Sequence, residues 1–397
     1  MNILILLYLI AIFPKLLSDR VFKGKRHPGL LQRLGLQLPK TSSSTIWIHA
    51  VSVGEVKAAA PLILQIRKRN PFAFILVTTT TFTGQEEAKR SLKADAYAYL
   101  PIDLSPIVSR WVKKINPKHF ILIENDIWPN LLNALVRNKT RISLVSAKMS
   151  DRSAKRFHFF LRISKKIFSS FDHICLQDES YLKHFKPLSS SIHITGNLKL
   201  DSQPQATVSL PIPKPAITIS CTHPQEEKLL LEALLPSKYF VILAPRHPER
   251  FREVAALLEQ KKIAYSRWKD GVYKGNLLLV DAMGKLSTCY ANSRLAILGG
   301  SFVPDIGGHN VLEPILYNTP VFFGPYMQGQ KYFALCATKS GAGKQVLLED
   351  LKDEVERFFE DGAMEINMKK GAFELMASEK GAAERTAAVI FSEKVCQ

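Results

Sequence analysis

Glu55 is the one acid of the stretch His49-Ala50-Val51-Ser52-Val53-Gly54-Glu55-Val56, which overlaps the end of a strand-like apolar run from Ile46 to Val51. A carboxylate at such a strand end can take a proton from a substrate hydroxyl if its proton affinity is tuned toward the working pH. The same residues, Ser52-x-x-Glu55, also spell a capping box, which needs no ligand. A second acidic stretch, Glu124-Asn125-Asp126-Ile127-Trp128-Pro129-Asn130, follows another apolar run. Glu124 and Asp126 can orient a substrate or support Glu55. Asp126 can equally cap the helix that Pro129 begins.

A third stretch is richest in glycine: Gly299-Gly300-Ser301-Phe302-Val303-Pro304-Asp305-Ile306-Gly307-Gly308-His309-Asn310-Val311-Leu312-Glu313-Pro314. Strand, glycine turn and helix together aim backbone N–H groups and a positive helix end at an anion. Glycine admits a ligand close to the backbone. Glu313, in the first helical turn, can accept hydrogen bonds from vicinal sugar hydroxyls. Alternatively the glycines only shape a loop and Glu313 stabilises its own helix. The spacing matches neither GxGxxG nor a P-loop.

Other strand ends carry further candidates. Arg246 and His247 lie in Ala244-Pro245-Arg246-His247-Pro248-Glu249-Arg250, and a guanidinium there suits bidentate phosphate contact. Ser220-Cys221-Thr222-His223-Pro224 is a second His-Pro turn, but no Asp, Glu or His spacing completes a metal site, so none is expected. Asp281-Ala282-Met283-Gly284-Lys285-Leu286-Ser287 can add N–H and hydroxyl contacts to a phosphate or a base. Lys148 and Arg152 open a segment, 148–166, with seven Lys or Arg against one Asp and with Phe157, Phe159, Phe160 and Leu161 among them. That mixture suits a phosphorylated amphiphile or an anionic membrane surface. It is also what a solvated basic face looks like.

The elements that must position these residues alternate. Strand-like runs at 46–51, 72–79, 96–100, 119–123, 141–145 and 173–176 are separated by amphipathic helical stretches. The rhythm resumes at 217–221, 240–244, 277–280, 295–298 and 321–323. This predicts doubly wound parallel sheets with ligands at the strand carboxyl ends. Residues 201–216 carry four prolines and read as a linker between an α/β lobe at 21–200 and another at 217–397, with a cleft between them. Residues 1–20 are strongly apolar and precede a basic collar, the pattern of a membrane anchor. A buried first helix is the alternative.

The chain has 397 residues, enough for two cores, and is 46% hydrophobic and 22% charged, as globular proteins are. A net charge of +19 calls for a negative partner. No RRM, KH or zinc-finger signature points to nucleic acid. Five scattered cysteines suggest neither a disulfide framework nor a zinc site.

The segments HAVSVGEV, ENDIWPNLL, SAKMSDRS, TGNLKLD, SCTHPQEE, APRHPER, DAMGKL and GGSFVPDIGGHNVLEP occur in the order found in 3-deoxy-D-manno-octulosonic acid (Kdo) transferases. The chain resembles that family from its apolar terminus to roughly residue 330. The resemblance implies a GT-B glycosyltransferase with two Rossmann-like lobes. It implies inverting, metal-independent transfer of Kdo from CMP-Kdo to the lipid A precursor, lipid IVA, on the cytoplasmic face of the inner membrane. No cofactor is expected. Carried over by position, the general base falls on Glu55 and the second acidic motif on Glu124 and Asp126, where many members read E-T-E. The first lobe would then bind the acceptor, with Lys148 and Arg152 contributing. The CMP site falls on Arg246 and His247, on Met283, Gly284, Lys285, Leu286 and Ser287, and on Gly308, His309, Asn310 and Glu313. Lys285 stands where many members have Glu, so a backbone contact survives there and a carboxylate contact does not. Two other readings are a non-catalytic lipid- or membrane-binding protein, which would not need Glu55, and a transferase using another nucleotide sugar.

Overall fold

The computed structural model describes residues 29–201, 207–213, 215–235, 238–271, 273 and 275–392. The chain divides into two compact units, Met1–Ser202 with Gly381–Gln397, and Gln203–Lys380.

The first unit is built on a seven-stranded sheet of β1 (Thr45–His49), β2 (Phe74–Thr79), β3 (Ala96–Tyr99), β4 (His119–Ile123), β5 (Arg141–Ala147), β6 (His173–Leu176) and β7 (Ile192–Ile194). Its order is β3-β2-β1-β4-β5-β6-β7, with every pairing parallel. β1 and β4 are buried at every position because helices cover both faces, which is why they read as continuous apolar runs. Trp47 anchors one face, edge-on to Phe120 and beside Trp111. On the other face the helix Val53–Arg69 buries Val56, Ala59, Ile63 and Ile66.

The terminal helix, Ala382–Ile390, belongs to this first unit, although its sequence position assigned it to a lobe at 217–397. Ala382, Ala383, Ala387 and Ile390 join the same apolar cluster as Val56 and Ile63. Asp201 accepts hydrogen bonds from the N–H groups of Gly381 (2.6 Å) and Ala383 (2.5 Å) at its start. No composition break precedes this helix, so its destination cannot be read locally.

The second unit repeats the architecture with β8 (Ala216–Thr222), β9 (Phe240–Pro245), β10 (Ser266–Arg267), β11 (Leu277–Leu279), β12 (Leu295–Leu298), β13 (Val321–Phe323) and β14 (Gly343–Gln345). The order is β10-β11-β9-β8-β12-β13-β14, again all parallel. Part of the proline-rich segment packs rather than links. Leu210 and Ile212 are buried beside Phe240 and Leu278, and the Leu210 N–H donates to Asn292 Oδ1 at 2.9 Å.

The expected inner-membrane location through an N-terminal anchor is not supported and is set aside. Among the described residues no helix is long and apolar enough to cross a membrane, and the segment 1–20 lies outside them.

Candidate active site

Parallel order places every loop that follows a strand at one edge of its sheet. In the first unit that edge gathers Glu55 after β1, Glu124 and Asp126 after β4, Lys148 after β5 and Lys199 after β7. Glu55 sits in the first turn of the helix Val53–Arg69. Its Oε2 accepts the Val51 N–H at 2.6 Å, and the Ser52 hydroxyl donates to Oε1 at 3.4 Å. The Ser52 side chain does not cap the helix, and Glu55 holds the N–H of Val51 rather than that of the N-cap Ser52, so neither half of the capping box forms. Burial pushes the Glu55 carboxyl up to about 7, helped by the charges of Glu124 and Asp126 and opposed by the Val51 N–H and Lys199.

Glu124 has the opposite surroundings. Its φ of 61° is left-handed, a conformation that costs a non-glycine residue about 1–2 kcal/mol. It turns the carboxylate between two ammonium groups, Lys199 Nζ at 2.6 Å and Lys148 Nζ at 2.9 Å. Burial alone would raise its proton affinity, but the two lysines outweigh that and hold it below the ordinary range. Two carboxyl groups on one edge are thus driven apart, one toward neutrality at pH 7 and one firmly ionised.

Asp126 does not cap the helix Pro129–Arg137. Asp103 does, accepting the N–H groups of Asn130 (3.0 Å) and Leu131 (2.8 Å). Asp126 Oδ2 instead accepts Trp128 Nε1–H at 2.7 Å and lies 3.6 Å from His49 Nε2. Lys148 therefore joins the acidic pair, whereas Arg152 is exposed on the first turn of the helix Asp151–Phe159. Lys199 lies within the TGNLKLD segment, but nothing in the sequence assigns it a role. It lies in a one-turn helix, Leu198–Asp201, after a three-residue edge strand.

In the second unit the corresponding edge brings Arg246, His247 and His309 together with His223. His223 and His309 are nearly coplanar, with Nε2 atoms 2.8 Å apart, and the His247 ring stands edge-on to His223 at 5.4 Å. Burial lowers His309 to about 4, and the neighbouring His223, Arg246 and His247 add to the effect. Burial also lowers His223. Burial raises the Cys221 thiol to about 12, with Glu313 adding and Arg246 opposing, so those two charges lie near the end of β8. Arg246 and Glu313 are exposed. Arg246 is the cation of this edge, beside His223 and His309, whose burial disfavours protonation, and exposed Glu249 and Glu313, a set suited to a phosphate next to a polyol.

The glycine-rich loop works differently from the expectation. Its anion is internal: buried Glu226 accepts the N–H groups of Gly300 (2.6 Å), Phe302 (2.9 Å) and His223 (3.0 Å). The Gly308 N–H donates to the Gly300 carbonyl at 2.8 Å. A Cβ on Gly308 would meet Met327 Sδ at 2.3 Å, so that glycine answers to its own chain. The helix beyond is only Leu312–Leu316, with Asn310 Oδ1 accepting the Leu312 N–H at 3.1 Å. Gly284, at φ 74°, turns the loop after β11, which neighbours β9 and hence Arg246. Met283 is exposed there, Lys285 Nζ lies 5.6 Å from the Trp268 ring centre, and Leu286 and Ser287 begin the helix Leu286–Ala291.

Comparison with known proteins identifies the family and the fold. The family model for "3-Deoxy-D-manno-octulosonic-acid transferase (kdotransferase)" matches residues 28–202. A 3-deoxy-D-manno-octulosonic acid transferase of Chlamydia trachomatis is 33% identical over 365 residues, covering 86% of this chain and 84% of the relative. That of Haemophilus influenzae is 33% identical over 302 residues, covering 71% of this chain and 70% of its own. Among solved structures, a glycosyltransferase from Rickettsia africae shares the fold at 11% identity with a TM-score of 0.61, over 88% of this chain and 98% of that one. The UDP-GlcNAc 2-epimerase of Neisseria meningitidis does so at 13% identity with a TM-score of 0.62, over 87% and 99%. The chain belongs to the 3-deoxy-D-manno-octulosonic acid transferase family and is a glycosyltransferase of GT-B fold.

Proposed function

We propose that this enzyme transfers Kdo from CMP-Kdo to the lipid A precursor, lipid IVA, in lipopolysaccharide synthesis, inverting the anomeric centre, with Glu55 as general base. The observation that carries the reading is Glu55 itself, a half-buried carboxyl whose proton affinity is raised to about 7 beside an ionised Glu124. A base poised there can take the acceptor hydroxyl proton as that oxygen attacks. Oε2 is held closely by the Val51 N–H, and Oε1, met only by the Ser52 hydroxyl at 3.4 Å, is the oxygen to receive the proton. Lys148 and Lys199 keep Glu124 charged without letting it repel the forming alkoxide.

The acceptor is assigned to the first unit. Exposed Phe159, Phe160 and Ile163, set among Lys155, Arg156, Arg162 and Lys166, suit acyl chains beneath phosphate groups and the anionic lipid around them. The donor is assigned to the second unit, with its phosphate at Arg246, His247 and His309 and its ribose at Glu313. Its cytosine is assigned to the turn formed by Met283, Gly284, Lys285, Leu286 and Ser287. Gly308 and Asn310 shape this donor site rather than touch the nucleotide. An oxocarbenium-like transition state places the main electrostatic demand on the departing phosphate. No step assigns a role to a metal. Purified protein incubated with CMP-Kdo and lipid IVA should yield CMP and a lipid heavier by Kdo in the mass spectrum, and Glu55→Gln should yield neither. Transfer only from a different nucleotide sugar, or lipid binding without turnover, would refute the proposal.

A further inference from the structure

His49 ends β1 fully buried, and its two ring nitrogens have unlike neighbours. Nδ1 lies 3.0 Å from the Thr78 carbonyl oxygen and 3.0 Å from Thr78 Oγ1. A carbonyl oxygen only accepts, so Nδ1 carries hydrogen. Thr78 Oγ1 also accepts Trp47 Nε1–H at 2.8 Å, which fixes the partner that fixes the ring. Nε2 lies 3.6 Å from Asp126 Oδ2 and has no hydrogen-bond partner among the described residues. With Nδ1 protonated, a neutral ring would turn a bare lone pair toward a carboxylate oxygen. Inside a protein such an unpaired atom costs about 1–3 kcal/mol. A hydrogen on Nε2 replaces that opposition with attraction.

We propose that His49 is a positioning residue of the transfer reaction: one proton lies between His49 Nε2 and Asp126 Oδ2 and offsets much of the Asp126 charge that Glu55 would otherwise feel in full. The role rests on reading Glu55 as the base. The charged groups of this edge are Glu55, Glu124, Asp126, Lys148 and Lys199, and each carboxylate beside Glu55 then has its own neutralising partner. Two lysines serve Glu124. Trp128 Nε1–H gives Asp126 a hydrogen bond but no charge, and the buried His49 Nε2, 3.6 Å away, is placed to supply one. The pair keeps Glu55 ionisable near neutrality instead of driving it further toward the protonated form.

Asn at position 49 keeps a donor for Thr78 and removes the Nε2 function. In His49→Asn the acid limb of the kcat/KM profile should move up by about one pH unit, as an uncancelled neighbouring carboxylate dictates. Asp126→Asn should leave the limb near its wild-type position and should return it there in the double variant. A purely structural His49 would lower rate or Tm alike in both backgrounds without moving the limb, and an unmoved limb overturns the proposal. Nitrogen NMR of the full-length wild-type chain, labelled at histidine and assigned through His49→Asn, provides the second arm. Hydrogen is expected on both ring nitrogens of His49 at the assay pH, and on Nδ1 alone in Asp126→Asn. An Nδ1-only ring in the wild type overturns the pairing. This arm reads the pair even if Glu55→Gln stays active, so failure of the base assignment is distinguishable from failure of the His49 assignment.

Discussion

Replacing Glu55 with Gln is predicted to stabilise the fold in alkaline solution while it removes transfer. The folded carboxyl releases its proton near 7, against 4.5 for an ordinary glutamate. Between those values the folded chain binds more protons than the unfolded one, so stability falls as pH rises through that window. At ~1.4 kcal/mol per pH unit the full loss is roughly 3 kcal/mol. Glu55 is only half-buried, and solvent screening reduces this to about 1–2 kcal/mol. Gln keeps an oxygen for the Val51 N–H and meets the Ser52 hydroxyl as a neutral group, so it escapes the penalty. By calorimetry the variant should melt roughly 2–6 °C above wild type at pH 8 and level with it at pH 4, where both side chains are neutral. Equal melting at pH 8, or an equal gain at both pH values, would refute the argument that burial tunes this group.

Three other perturbations test neighbouring parts of the account. Lys199→Met removes the closer ammonium from Glu124, so Glu55 should hold its proton more tightly and the acid limb of kcat/KM should rise by about one pH unit. Glu226→Gln leaves one oxygen where two accept three N–H groups, and should cost about 2–4 kcal/mol in denaturant unfolding of the second unit. Exhaustive chelation should leave the transfer rate unchanged, and a loss restored by a divalent ion would contradict the metal-free reading.

The strand ends that carry Glu55, Glu124 and Arg246 are legible in the sequence because fully buried parallel strands leave unbroken apolar runs, as at Ile46–Ile48 and His119–Ile123. Of the four edge strands only β3 leaves such a signal. β7, β10 and β14 have three residues or fewer, so the role of Lys199, placed by β7, is not legible. Glycine patterning identifies the loop after β12 but not its occupant, since Glu226 lies 74 residues before Gly300 in the chain. Asp126 and Asp103 show the same limit, because either carboxylate can cap the helix that Pro129 begins and only the fold brings Asp103 there. A residue's type states what it can donate or accept. Its partner is a tertiary fact, and the roles of His49 and His223 depend on partners remote in sequence.

The central claim, that Glu55 is the general base, is tested most directly by kcat/KM for Kdo transfer against pH in wild type and Glu55→Gln. The account predicts a wild-type acid limb centred near 7, and a variant that is slower by about 10²–10⁴-fold with no such limb. A variant within a few-fold of wild type, or one that keeps the same limb, would contradict it.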